Sequence, residues 1–196
     1  MKPLIKKRSG GQYSWQDYLN WPENERWEII DGVAYNMSPA PSIKHQTTAG
    51  NLFSLLNQKL ADKPCKPFIA PTDVVLSEHD IVQPDVLVVC DPSKITEQNI
   101  QGAPDLVVEV LSPATALKDL REKRALYERF AVKEYIILDP LELYVQQFFL
   151  GKDGTYGKGE VLGPQEILQL KTIEGIEIML WEVFEFERPL EEELSL

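Results

Sequence analysis

Apolar residues occupy both alternating faces of residues 105–111, DLVVEVL, which is the pattern of a strand buried on both sides. Ser112-Pro113 ends that run, and Thr115 is placed to cap a helix over 115–131. At about 100° per residue, Ala116, Leu120, Tyr127, Phe130 and Ala131 share one face of this helix. A second wholly apolar run, EYIILDP at 134–140, completes a βαβ unit whose strands should be parallel.

Earlier in the chain, Ser14-Trp15-Gln16-Asp17 reads as a capping box opening a short helix that Pro22 closes. WEII and VAYNM flank Asp31-Gly32, a strong signal for a type I′ hairpin. After the rigid Ser38-Pro39-Ala40-Pro41 loop, Ser42 caps a helix reaching about Ala61. His45, Ala49, Leu52, Leu56 and Leu60 lie on one of its faces, and Lys63-Pro64 stops it. Residues 66–77 and 84–90 read as strands joined by the polar Ser77-Glu78-His79-Asp80. Beyond Pro140, ELYVQQFFL, the turn at 151–154 and the 159–180 stretch suggest an antiparallel extension. Leu180–Phe186 suggests a last short helix before a solvated acidic tail.

Composition narrows the class. A chain of 196 residues with 43% hydrophobic and 26% charged content suits one globular domain spanning 1–196. No apolar run approaches the roughly 20 residues of a membrane helix, and the basic start MKPLIKKRSGG leads into no signal-peptide core. Cys65 and Cys90 make neither a disulfide framework nor a zinc motif, so a cytoplasmic location is the default. The net charge of −11 argues against broad attraction to nucleic acid. Six glutamates and one arginine between Glu182 and Glu193 supply −5 of it. Local basic surfaces remain at Lys2, Lys6, Lys7 and Arg8, and along the helix at Lys118, Arg121 and Arg124.

Two residues violate the hydrophobic pattern. Glu109 stands inside the buried strand, where an unpaired carboxylate costs several kcal/mol. Lys123 falls within the apolar stripe of the covering helix, so an ammonium and a carboxylate point at one sheet surface. A buried ion pair or a snorkelling lysine accounts for both without any function. Asp85, just inside the mouth of the 84–90 strand, adds a second carboxylate. Singly, Asp85 and Asp73 read as turn residues, His45 as a structural histidine, and Glu28 as a solvent-facing hairpin residue in preference to a further acidic ligand.

Taken together, Asp85, Glu109 and the Val110 carbonyl form a partial oxygen shell suited to Mg²⁺ or Mn²⁺. Such an ion can activate water, and Lys123 can align that water or stabilise a phosphoryl transition state. The order PD, then an acid, then a lysine, in an α-β-β-β-α-β arrangement, resembles the PD-(D/E)XK nuclease superfamily. RWEIIDGVAYNMSPAPSIKHQ, QPDVLVVC, PDLVVEVLSPAT, EKRALY and VKEYIILDP more closely resemble the Uma-two family of restriction endonucleases, over roughly residues 26–140.

The resemblance implies a restriction-endonuclease-like α/β core, a mixed sheet flanked by helices, with an antiparallel C-terminal extension. It makes Asp85 the motif aspartate, Glu109 the motif acid and Lys123 a migrated lysine, because Leu111 stands where the simplest pattern has lysine. It also implies His45 or Gln46 near the site. The expected activity is metal-dependent hydrolysis of DNA phosphodiester bonds. DNA is the expected substrate and no membrane partner is expected; a homodimer is left open. The alternatives are a catalytically inactive nuclease fold acting as a binding or assembly module, and a structural Asp–Lys–Glu network that needs no metal.

Overall fold

The computed structural model describes residues 5–6, 11–22, 25–37, 40–113 and 115–190. In chain order these form β1 (Ile5–Lys6), α1 (Trp15–Tyr18), β2 (Trp27–Ile30), β3 (Val33–Asn36) and α2 (Ile43–Lys59). Next come β4 (Lys66–Ile69), β5 (Val74–Ser77), β6 (Asp80–Val82), β7 (Val86–Val89), β8 (Ile100–Gln101) and β9 (Leu106–Val110). The helical segment is composite: α3 (Ala116–Lys118), a π-helical turn (Asp119–Lys123) and α4 (Arg124–Arg129). The remainder is β10 (Glu134–Asp139), β11 (Tyr144–Phe149), β12 (Glu160–Leu162), β13 (Ile167–Leu170), β14 (Ile176–Met179) and α5 (Leu180–Phe184).

The central sheet has the order β12-β11-β10-β9-β7-β4. β9 and β10 are parallel and the other neighbours antiparallel, so the sheet is mixed. The expected core order is realised by α2, β4, β7, β9, the composite helix and β10. β11 and β12 extend the sheet antiparallel, and β13 pairs with β14 in a separate ribbon.

Alternation along β7 and β9 sends even- and odd-numbered residues to opposite faces. Val86, Val88, Leu106, Val108 and Val110 pack with Leu52 and Leu56 of α2 and with the β13–β14 ribbon and α5. Leu87, Val89, Val107 and Leu111 pack on the other side with Leu126 and Tyr127 of α4. That second layer also takes in Ile30, Val74 and Val82 of the other large sheet, ordered β1-β3-β2-β6-β5-β8.

Most local signals match. Ser14 and Asp17 form the reciprocal capping box, and the Ser42 side chain accepts from the His45 amide. Asp31 and Gly32 both have positive φ, 51° and 70°, as a type I′ turn requires. Two boundaries differ. Residues 66–77 make two strands in different sheets, separated at Ala70–Asp73, with Pro71 lacking a donor and Thr72 Oγ1 donating to the Ile69 carbonyl at 2.8 Å. Ser77–Asp80 is a tight hairpin whose second arm, β6, carries the chain back along β5. Thr115 caps nothing through its side chain; its hydroxyl pairs with Ser112 at 2.9 Å.

The cysteine reading is corrected. Cys65 and Cys90 form a disulfide with an S–S distance of 2.05 Å. They stand opposite each other one step beyond the Lys66↔Val89 pairing, a proximity that strand register creates and sequence spacing does not advertise. No helix among the described residues is long and apolar enough to cross a membrane. Lys2, Lys7, Arg8 and residues 191–196 of the acidic tail lie outside the described residues, as does the side chain of Lys6.

Gly32 is held by two constraints, since a Cβ there would meet the Gln12 side chain at 2.3 Å as well as the positive φ. Gly32→Ala is therefore expected to destabilise the fold by about 1–2 kcal/mol, read from the midpoint of urea unfolding. An unchanged midpoint would remove the turn as a register constraint.

Candidate active site

Antiparallel pairing brings the two motif carboxylates together. Asp85 precedes β7, and one step beyond the Val86↔Val108 pair it faces Glu109 of β9. Asp85 Oδ2 accepts from the Val110 amide at 2.8 Å and lies 3.3 Å from His45 Nε2. Glu109 is 3% exposed, and its Oε1 accepts from Lys123 Nζ at 2.8 Å and from the Tyr127 hydroxyl at 2.7 Å. Lys123 thus points inward, as its helical phase predicts.

Glu28 and Lys118 are not where the sequence reading puts them. Glu28 is fully buried, and both its oxygens are engaged: Oε1 lies 2.7 Å from Lys123 Nζ and Oε2 accepts from Lys118 Nζ at 2.5 Å. The Gln83 amide also donates to Oε1, at 3.1 Å. Alternation within a hairpin does not reveal that another layer covers its outer face, which is why a solvent-facing glutamate was the natural reading.

Lys118 misleads for a different reason. Residues five apart diverge by about 140° on an α-helix, which sets Lys118 outside when Lys123 is inside. The π turn widens that step and brings both ammonium groups to the same side. The basic edge expected at Lys118, Arg121 and Arg124 therefore breaks up. Lys118 is buried, and Arg124 lies 4.5 Å over the Phe148 ring and donates to the Tyr156 carbonyl; Arg121 is exposed.

A cleft of about 280 Å³ opens onto this group, lined by His45, Asp85, Glu109, Lys118, Asp119 and Lys123 among others. His45, read as structural, is part of it, and Gln46 lines it too. Asp73 is not; its carboxylate accepts from the Tyr18 hydroxyl and from Gln83 Nε2, both at 2.8 Å. Asp119, not singled out in the sequence, is 2% exposed and 3.8 Å from Lys123 Nζ.

Burial dominates the electrostatics. It pushes the Glu109 carboxyl up to about 8 against the pull of Lys123, and raises Asp119 to about 6. Burial also works to raise Glu28, but Lys118 and Lys123 outweigh it and hold that carboxyl down at about 2. For Lys123, burial disfavours the charge, yet Glu109 and Glu28 outweigh it and keep the ammonium protonated. Glu28 is thus the carboxylate that compensates Lys123, and Glu109 is the one whose charge the buried setting opposes. Burial of His45 disfavours its charge too, and Asp85 outweighs it, raising the ring above its ordinary value.

The model of the Uma2 family, described as "Putative restriction endonuclease", matches residues 15–181. The chain belongs to the Uma2 family. An uncharacterized protein of Synechocystis sp. is 29% identical over 147 residues, covering 72% of this chain and 76% of its own. The crystal structure of a putative nuclease belonging to DUF820 from Anabaena variabilis superposes with a TM-score of 0.72 at 20% identity. It covers 88% of this chain and 97% of that one. The likeness confirms the nuclease-like α/β fold, and the Uma2 match extends past residue 140 through β14 to the start of α5.

Because Glu28 is ionised when folded and its pKa lies below that of an exposed glutamate, its stabilisation is present above about pH 4.5 and is lost as pH falls toward 2. Glu28→Gln, which leaves two buried ammonium groups short of a counter-charge, is expected to cost about 3–5 kcal/mol at neutral pH. The gap from wild type should narrow through that acid window. Urea unfolding at stepped pH measures it, and a gap independent of pH would refute the ionised bridge.

Proposed function

We propose that the protein is a metal-dependent endonuclease that hydrolyses DNA phosphodiester bonds in the cleft between β7, β9 and the π turn. The observation that carries this reading is the juxtaposition of Asp85 and Glu109 across adjacent strands, beside an inward-pointing lysine, in a Uma2 family member. Among the described residues no three His, Cys, Asp or Glu side chains gather into a metal-holding group. The donor set on offer is therefore Asp85, Glu109 and the Val110 carbonyl, all hard oxygens of the kind Mg²⁺ or Mn²⁺ accepts alongside several waters.

That set fits a cation. Asp85 lies one step beyond the Val86↔Val108 pair, opposite Glu109, and is tied to Val110 through the Val110 amide at 2.8 Å, so the three oxygen donors belong to adjacent positions of two paired strands. Bound there, the ion would supply Lewis-acid activation of water and offset charge on a phosphoryl oxygen. Lys123, fixed by Glu28 and Glu109, holds a permanent positive charge against the cleft and can stabilise the developing phosphorane charge. The Tyr127 hydroxyl restrains the Glu109 carboxylate from behind.

A second reading, an inactive nuclease fold that binds or assembles, is favoured by one observation. Glu28, Glu109, Lys118, Lys123 and Tyr127 bond to one another in one buried network, which a structural role alone would account for.

The two readings diverge under assay. With Mg²⁺ or Mn²⁺ and varied DNA substrates, wild type is expected to cleave, and Asp85→Asn and Glu109→Gln to lose cleavage. Lys123→Met should keep the fold and lose about 10²-fold or more in rate. The same ions should raise the wild-type melting temperature by mass action, and less so in Asp85→Asn and Glu109→Gln. Equal stabilisation of all three proteins would dismiss the metal site. Undiminished cleavage by Lys123→Met would end its catalytic assignment.

A further inference from the structure

We propose that Lys118 is a substrate-phosphate ligand of the cleft, held in place by Glu28; this rests on DNA being the substrate. Two lysines share Glu28, but they are spent differently. Lys123, 2% exposed, has Glu28 at 2.7 Å, Glu109 at 2.8 Å and Asp119 at 3.8 Å around its Nζ. Lys118, 8% exposed, has Glu28 Oε2 as its one carboxylate within ion-pair distance among the described residues, and its Nζ lies 5.6 Å over the Tyr35 ring.

An ammonium carries three donors, and the ring satisfies none of them as an oxygen would. Lys118 therefore reaches the cleft wall with donor capacity left over, whereas the Lys123 ammonium already has three carboxyl groups around it. The cleft also carries the Asp85 carboxylate, whose charge opposes a polyanion. A phosphodiester oxygen is the acceptor that suits the spare donors and relieves that repulsion. The π turn is what makes the arrangement available, because it swings Lys118 to the side where Glu28 can hold it. Division of labour follows: Glu28 is the positioning residue, Lys118 meets phosphate, and Lys123 serves the reacting centre.

The test is equilibrium binding of fluorescein-labelled duplex DNA by anisotropy in EDTA, across a series of KCl concentrations, which involves no cleavage. Losing one phosphate contact should reduce the slope of log K against log salt by about 0.9. That reduction is expected for Lys118→Met, with the slope restored in Lys118→Arg. Glu28 keeps Lys123 as a partner in Lys118→Met, so folding is expected. The double variant E28Q/K118M, which removes both charges of the pair, gives an independent reading of the same slope. A Lys118 that only neutralises Glu28 would shift the melting temperature and leave the slope intact. An unchanged slope in either folded variant overturns the proposal, as does wild-type protein that shows no salt-dependent binding. A Lys118-dependent slope without cleavage under Mg²⁺ or Mn²⁺ would sink the endonuclease reading alone. Cleavage with an unchanged slope would sink Lys118 alone.

Discussion

Two ammonium groups are folded beneath one helical segment, and the carboxylate that compensates both is delivered from a different sheet. Leaving either lysine unpaired in that interior would cost more than most single interactions return. Glu28 therefore ties the β2–β3 hairpin to the π turn, while Lys123 passes the connection on to Glu109 at the centre of the main sheet. The arrangement tolerates little slippage. A one-residue shift in the hairpin would turn Glu28 to the opposite face, so the left-handed residues of the Asp31-Gly32 turn also set the electrostatics of the cleft.

Much of this architecture was legible in the chain because the signals were local. The capping box at Ser14, the Ser42 cap, the Asp31-Gly32 turn and the two-sided burial of residues 105–111 each specify geometry within a few positions. Glu109 and Lys123 were legible as well, since each breaks an otherwise apolar pattern. Glu28 and Lys118 were not, because neither breaks a pattern: one sits on an alternating strand, the other at an ordinary exposed helical phase. What buries them is non-local, a layer packed over the hairpin and a π turn with no sequence signature of its own. The Cys65–Cys90 bond escaped for the same reason, since it is decided by which strands become neighbours.

Membership of the Uma2 family gives this cluster its context, and the cluster gives the family match physical content. The buried charges divide by surroundings. Glu28 is kept ionised by two lysines, Glu109 is driven toward its neutral form by burial, and Asp85 stands at the strand mouth beside His45. A cation arriving between Asp85 and Glu109 would oppose the effect of burial on Glu109.

Pro67 lies in β4, at one edge of the central sheet. The Ala70 amide donates to the Asp85 carbonyl, and pairing alternates from there. Inward-facing amides therefore fall at residues 70, 68 and 66, and position 67 faces outward. The missing N–H costs the sheet nothing and leaves a gap in the row of donors that a further strand would use. Association of two copies by continuing the sheet across β4 is thereby disfavoured, and this border of the fold is guarded against the edge-to-edge aggregation to which open sheets are prone.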